Sequence, residues 1–220
     1  MNRAKNNDGR FIVVEGLDGS GKSTLVKSLC EDLNIMGIPT VAGHGIGGTP
    51  FSDHIRQIFL NPSFGDMSTE AELMLLMAAR YEQISKFIMP NITKGIWVIL
   101  DRFHLSTYAY QHNAIQRDML MQLGSHGLSP DLTIFVDVDY ENSRARIVKN
   151  RGELDRLEGV GKTRFYLRRN TMLKYINNNT NELFLYLDSN KDSQDVILEK
   201  AILGIDEFFD LSGTKTSQIK

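Results

Sequence analysis

Residues 11–24 read Phe11-Ile12-Val13-Val14-Glu15-Gly16-Leu17-Asp18-Gly19-Ser20-Gly21-Lys22-Ser23-Thr24. An apolar run of strand length meets a glycine-rich turn of the form G-x-x-x-x-G-K-[ST], and an amphipathic segment follows. That order is the setting a phosphate-binding loop requires. Gly16, Gly19 and Gly21 let the backbone turn its N–H groups inward on a polyphosphate, with Ser20 and Thr24 in the same cradle. Lys22 adds a mobile positive charge, the Ser23 hydroxyl can ligate Mg²⁺, and the following helix contributes the partial positive charge of its N-terminus. The stretch predicts that the chain binds a nucleoside triphosphate.

The rest of the chain sets the frame around that loop. At 220 residues it is long enough for one well-packed domain and too short for two of ordinary size. A formal charge of −2 argues against a duplex-binding surface, so the expected partners are small molecules rather than nucleic acid. No window approaches about 18 uninterrupted apolar residues, so no membrane span is expected. Cys30 is alone among apolar helix positions and reads as a buried, inert thiol, which fits a reducing cytoplasm. Polar ends over residues 1–9 and 212–220 read as disordered, leaving a domain over 10–211. His44, His54, His104, His112 and His126 show no metal-ligand spacing and read as ordinary surface or pocket residues.

Short apolar runs alternate with helix-length amphipathic segments, the pattern of a parallel sheet covered on both faces. The strands are expected over Arg10–Glu15, Thr40–Ala42, Trp97–Asp101, Leu132–Asp137 and Leu183–Leu187. Helices are expected over Lys22–Met36, Phe51–Leu60, Thr69–Met89, Leu105–His112, Ala114–Gly127, Glu141–Arg151, Thr163–Asn177 and Ser193–Phe209. Gly37 closes the first and Pro90 the long third. In such α/β folds ligands sit beyond the carboxyl ends of the strands. The strand ending at Leu100 delivers Asp101 and Arg102 to that edge, an acid suited to hold Mg²⁺ or its waters beside a guanidinium suited to clamp a phosphate.

The run Asp101-Arg102-Phe103-His104-Leu105-Ser106-Thr107-Tyr108-Ala109-Tyr110-Gln111 resembles the D-R-[YFH]-x-x-S-[TN]-x-A-Y-Q signature of thymidylate kinases. Gly47-Gly48-Thr49, Ala78-Ala79-Arg80, Ser129-Pro130-Asp131-Leu132-Thr133 and Arg151-Gly152-Glu153-Leu154-Asp155-Arg156 fall in the same order and at closely similar spacing to that family's other landmarks. The resemblance implies a three-layer P-loop NTPase fold with a five-stranded parallel sheet flanked by helices. It also implies phosphoryl transfer from ATP·Mg²⁺ to thymidine 5′-monophosphate. Lys22 would hold the donor phosphates, Ser23 and Asp101 the metal, and Arg102 the acceptor phosphate and the transferring group. Asp18 resembles the carboxylate near the sugar 3′-hydroxyl. Arg80 resembles the donor to thymine O4, Ser106 and Thr107 the groups at the pyrimidine edge, and Tyr110 the ring that crowds the sugar 2′-position. Gln111 would contact phosphate or sugar, and Arg56 is a second phosphate candidate.

The arginine-rich segment over 151–164 resembles the lid that closes over ATP. The family divides according to whether the catalytic arginine comes from the phosphate loop or from the lid, and the loop position here is Gly19. The lid is therefore expected to supply it, with Arg151 ahead of Arg156 and Arg164. Homodimers are common in the family, and Met74, Leu75 and Met77 are candidates for such a face. Two departures stand out. His44-Gly45-Ile46 replaces the usual Arg-Glu-Pro before Gly-Gly-Thr, and Leu76 stands where an aromatic ordinarily stacks on thymine. These departures keep a broader deoxynucleoside monophosphate kinase open as the alternative. A kinase of the unphosphorylated nucleoside and a nucleotide-dependent switch stand further off.

Overall fold

The computed structural model describes residues 9–64, 67–110, 127–151 and 161–211, the side chains of residues 62, 150 and 151 excepted. Strands β1 (Phe11–Glu15), β2 (Thr40–His44), β3 (Trp97–Asp101), β4 (Leu132–Asp137) and β5 (Phe184–Asp188) form a parallel sheet in the order β2-β3-β1-β4-β5. Every residue of β1, β3 and β4 is buried. This is why their sequences are continuous apolar runs rather than alternating ones. Register places Val14 beside Asp101 and Glu15 beside Phe135, so three strands end at one edge.

Helices α1 (Lys22–Ile35) and α8 (Gln194–Phe209) cover one face. There Leu25, Leu29 and Leu33 meet Ile12, Val14, Ile99 and Ile134 together with Ile197, Ala201 and Ile205. On the other face Phe11, Val13, Val98 and Leu100 pack on Ile84, Ile88 and Ile92. Leu17 and Phe135 there join Leu105 and Ala109 of α5 (His104–Tyr110) with Phe165 and Met172 of α7 (Lys162–Asn178). The three layers expected from the sequence are present. The chain leaves β1 toward the α1 face and leaves β3 toward the α5 face, so the carboxyl ends of these neighbouring strands open a crevice between them.

Helix α2 (Pro50–Leu60) starts at an N-cap, Thr49, whose side chain accepts from Ser52 N at 3.1 Å. It packs on α3 (Thr69–Gln83) through Phe59, Leu73, Leu76 and Met77. Met77 therefore belongs to the core and not to an outer face, whereas Met74 is 57% exposed. Pro90 does not close the third helix. After α3 comes a π-helical turn over Ile84–Ile88, where Met89 N–H bonds to Ile84 O five residues back, and helix α4 (Met89–Ile92) then continues through the proline. Proline lacks an N–H and its ring collides with the carbonyl four residues earlier; the wider turn accommodates both. Helix α6 (Tyr140–Arg151) follows β4.

Cys30 is half-buried rather than enclosed. Its thiol donates to Thr40 O at 3.4 Å, and burial together with Glu31 raises its pKa, which lowers the thiolate fraction. The 114–126 part of the expected helix, the 152–160 part of the lid and the ends 1–8 and 212–220 lie outside the described residues, and Gly127, the expected last residue of that helix, stands in a turn with φ 71°. Gly9 is buried and donates to Ile92 O at 2.9 Å.

Candidate active site

The phosphate loop leaves β1 at Glu15 and delivers α1 at Lys22, after Gly21 with φ 96°. Lys22 is 5% exposed, and its Nζ lies 2.6 Å from Leu17 O and 3.5 Å from Ser20 Oγ. Burial, and then the charge of Arg102, lower its pKa to about 8 against the pull of Asp101, Asp18 and Glu15. An anion in the loop would reverse that balance. Ser20 is buried beneath the loop and, like Gly16, does not line the cavity in front of it. At Gly19 the backbone has φ 74°, and a Cβ would stand 2.6 Å from Ser143 O on the N-terminal turn of α6. No arginine fits at this loop position without a shift of backbone, which gives a physical reason for a catalytic arginine from elsewhere.

Strand β3 brings Asp101 to the first turn of α1, where Ser23 Oγ donates to Asp101 Oδ2. Asp101 Oδ1 is buried and has no hydrogen-bond partner among the described residues. That orphaned oxygen beside a serine hydroxyl suits a hydrated divalent cation. Among the described residues no group of three His, Cys, Asp or Glu could cage a metal, so such a cation would depend mainly on phosphate and water oxygens.

Arg102 adopts φ 75°, and its side chain turns back under the loop. Nη1 donates to Gly16 O at 3.0 Å and Ser106 Oγ at 2.9 Å, and Nη2 pairs with Asp18 Oδ1. The group that secures this bend is Glu15, which the sequence reading passed over. Glu15 is 1% exposed; its Oε1 accepts from Phe103 N at 2.7 Å and Ser106 N at 3.1 Å, and its Oε2 from Ser106 Oγ at 2.6 Å. A carboxylate closing an apolar strand was the available signal, because a buried charge has to be satisfied by something. The Ser106 hydroxyl, expected at the pyrimidine edge, is engaged with Glu15 and Arg102 and so orients the arginine.

Asp18 faces Arg102 on one side and accepts from the Tyr110 hydroxyl at 2.8 Å on the other. Burial would raise its pKa, but Arg102, Lys22, Tyr110 and Arg168 outweigh that and lower it to about 2. Deeper in the crevice Arg80 is 2% exposed, with Nη2 donating to Phe103 O at 2.9 Å and Thr107 Oγ1 at 2.7 Å. Its Nε and Nη1 are buried without a partner among the described residues. Burial lowers its pKa to about 10, against the opposing charge of Glu15. Buried donors left open this way are expensive unless a ligand satisfies them.

These side chains share one cavity of about 440 Å³. Its wall holds Asp18, Gly19, Gly21, Lys22, Ser23 and Thr24 at one end, and Arg56, Leu76, Arg80, Thr107 and Tyr110 at the other. Asp101, Arg102 and Ser106 stand between. Arg56 donates to Ile46 O at 3.3 Å. Gln111, Arg156 and the side chain of Arg151 lie outside the described residues. Arg164 is exposed on the first turn of α7 and does not line the cavity.

Further features emerge in the structure. Arg146 of α6 donates to Gly19 O at 3.3 Å and to Ser189 O at 2.6 Å, and with Gln194 it extends the cavity past the loop. Both lie on the helices that follow β4 and β5 rather than at the strand ends, so inspection of strand-end residues does not reach them. His104 is not an ordinary surface or pocket residue. It is 8% exposed, and burial and then Arg80 lower its pKa to about 3. The divergent His44-Gly45-Ile46 segment also lines the cavity, and Gln83 Nε2 braces it by donating to His44 O and, at 2.8 Å, to Gly47 O. A Cβ at Gly45 would stand 2.3 Å from Arg102 O, so the carboxylate ordinary at this position has no room here.

The family model described as Thymidylate kinase matches residues 14–198, spanning the loop, both strand ends and Arg80. The chain belongs to the thymidylate kinase family. Among similar proteins, the thymidylate kinase of Legionella pneumophila (strain Corby) is 36% identical over 194 residues, covering 86% of this chain and 90% of its own. That of Exiguobacterium sp. (strain ATCC BAA-1283 / AT1b) is 38% identical over 174 residues, covering 76% and 82%. That of Orientia tsutsugamushi (strain Ikeda) is 43% identical over 159 residues, covering 68% and 72%. Among the described residues no helix is long and apolar enough to cross a membrane.

Proposed function

We propose that this member of the thymidylate kinase family transfers the γ-phosphoryl group of ATP to thymidine 5′-monophosphate, giving ADP and thymidine 5′-diphosphate. The observation that carries the reading is that one cavity joins a phosphate loop, through Asp101 and Arg102, to a buried guanidinium with two open donors. A loop with Lys22 suits a polyphosphate, and Arg80 suits a carbonyl-bearing base. An oxygen of the acceptor phosphate attacks the γ-phosphorus as the bond to the β-phosphate oxygen breaks, and the electron pair leaves with ADP. Lys22 holds the donor phosphates and Arg102 screens the charge where the two phosphates meet. Mg²⁺ would be held by Ser23 and, through water, by Asp101, and would neutralise charge on the donor phosphates.

On the acceptor side Asp18, kept ionised by its cationic neighbours, accepts from the sugar 3′-hydroxyl. Tyr110 crowds the 2′-position and disfavours ribose. Leu76, 6% exposed at the cavity wall, covers the base face, and Thr107 stands at the base edge. Arg56 takes a phosphate oxygen, and a lid arginine, Arg151 first, completes the charge on closure. Exposed Phe51, Ile58 and Met74 on α2 and α3 support a homodimer through that face, and a single cysteine, which allows no internal disulfide, supports a cytoplasmic setting. The deciding experiment is kcat/KM for ATP-driven phosphorylation across the deoxynucleoside and ribonucleoside monophosphates. Preference for the thymine deoxynucleotide supports the reading; equal use of the other deoxynucleotides replaces it with a broader kinase; ADP release without an acceptor refutes it.

A further inference from the structure

Two guanidinium groups lie over the Tyr110 ring. The Arg102 carbon is 5.3 Å from the ring centroid, and that of Arg168 is closer, at 4.1 Å. Arg168 belongs to α7, is 4% exposed, and contributes positive charge to the surroundings of Asp18. The two arginines approach from different places. The 440 Å³ cavity has Asp18, Arg102 and Tyr110 in its wall but not Arg168. Behind that wall a cavity of about 10 Å³ is bounded by Asp18, Tyr110, Arg168 and Phe165 among others. Arg168 thus reaches the phenol from outside the larger cavity.

Tyr110 is the last described residue of α5. Its ring packs on the Leu105, Ala109 and Phe165 cluster, its hydroxyl is hydrogen-bonded to Asp18, and the Arg168 guanidinium lies against it. The Arg168 charge acts on both Tyr110 and Asp18, the two groups that the phenol hydrogen bond joins. We propose that Arg168 is a positioning residue: stacked on Tyr110 from behind, it holds the phenol against Asp18 and so sets the preference for deoxyribose over ribose acceptors. The inference rests on the reading of Tyr110 as the group that crowds the sugar 2′-position. Without the cation the ring gains freedom to swing, and the space it denies a 2′-hydroxyl opens. The α5–α7 contact itself does not depend on Arg168, because Tyr108 and Tyr175 meet edge to face at 5.0 Å, and Leu105 and Ala109 pack with Phe165 and Met172.

The test uses the full chain with Arg168→Met, Arg168→Lys and Tyr110→Ala. It compares kcat/KM for thymidine 5′-monophosphate and for its ribose counterpart, with KM for ATP measured alongside. Arg168→Met should narrow the deoxy-to-ribo ratio by about tenfold or more with ATP KM little changed. Arg168→Lys, which keeps a cation over the ring, should restore most of the ratio, and Tyr110→Ala should narrow it at least as far as Arg168→Met. Equal loss toward both acceptors in Arg168→Met, with Tyr110→Ala still narrowing the ratio, would overturn the role of Arg168 and leave the acceptor site standing. An unchanged ratio in Tyr110→Ala would remove both. If Arg168→Met does not fold, Arg168→Gln carries the same comparison.

Discussion

Replacing Arg80 by methionine separates a residue that serves the ligand from one that serves the fold. The guanidinium is 2% exposed, and burial lowers its pKa from an ordinary value near 12.5 to about 10. Such a drop corresponds to about 3 kcal/mol of penalty on the charged form, taken as an order of magnitude. Two nitrogens have no partner among the described residues to offset it, whereas Nη2 makes two hydrogen bonds and the group stacks over Phe103 at 4.7 Å. Methionine keeps the length and apolar contact of the side chain while removing the charge, so the opposing effects nearly cancel. Arg80→Met should then unfold within about 1 kcal/mol of the parent, on either side, in urea titrations. Catalysis should change far more. A charged hydrogen bond to the base contributes about 1.5–3 kcal/mol, so kcat/KM for thymidine 5′-monophosphate should fall roughly 10- to 150-fold, with KM for ATP unchanged. A loss of several kcal/mol of stability in Arg80→Met, with the acceptor kcat/KM near that of the parent, would refute a ligand-serving role for Arg80.

Lys22→Ala and Arg102→Ala should each lower kcat by about a hundredfold or more, since each removes charge stabilisation worth roughly 3 kcal/mol where the phosphates meet; single-turnover phosphoryl transfer in folded variants checks this. Gly19→Ala places a Cβ 2.6 Å from Ser143 O at φ 74°. It should weaken ATP binding by about tenfold or more, since a left-handed non-glycine costs about 1–2 kcal/mol before the collision is relieved, and titration of ATP into the variant measures it. His104 supplies a pH dependence. Its pKa in the folded protein is about 3 against an ordinary 6.5, so below pH 6.5 the unfolded chain takes up a proton that the folded one refuses. Its contribution to stability is complete above pH 6.5 and is lost as the pH falls toward 3, by about 2 kcal/mol at pH 5. His104→Gln should flatten that decline in urea titrations at pH 7 and 5.

The sheet, its helices and the phosphate loop were legible in the sequence because each rests on a local rule. Buried parallel strands need continuous apolar runs, amphipathic helices repeat every 3.6 residues, and a loop that folds around phosphate needs glycines at fixed spacing. Asp101 and Arg102 were legible for the same reason, as polar residues ending an apolar strand. Tertiary structure decided what those residues do for one another. Glu15 and Ser106 lie 91 positions apart, and only the adjacency of β1 and β3 turns them into the brace of Arg102. Met77 and Met74 look alike along α3, and the packing of α2 alone makes one core and the other surface. Pro90 reads locally as a stop, yet the helix passes through it because Ile84, Ile88 and Ile92 are all drawn onto the sheet. Arg168, on a helix far along the chain from the loop, has no motif of its own. Its place over Tyr110 follows from where α7 crosses α5, and no period or spacing encodes the meeting of two helices in space.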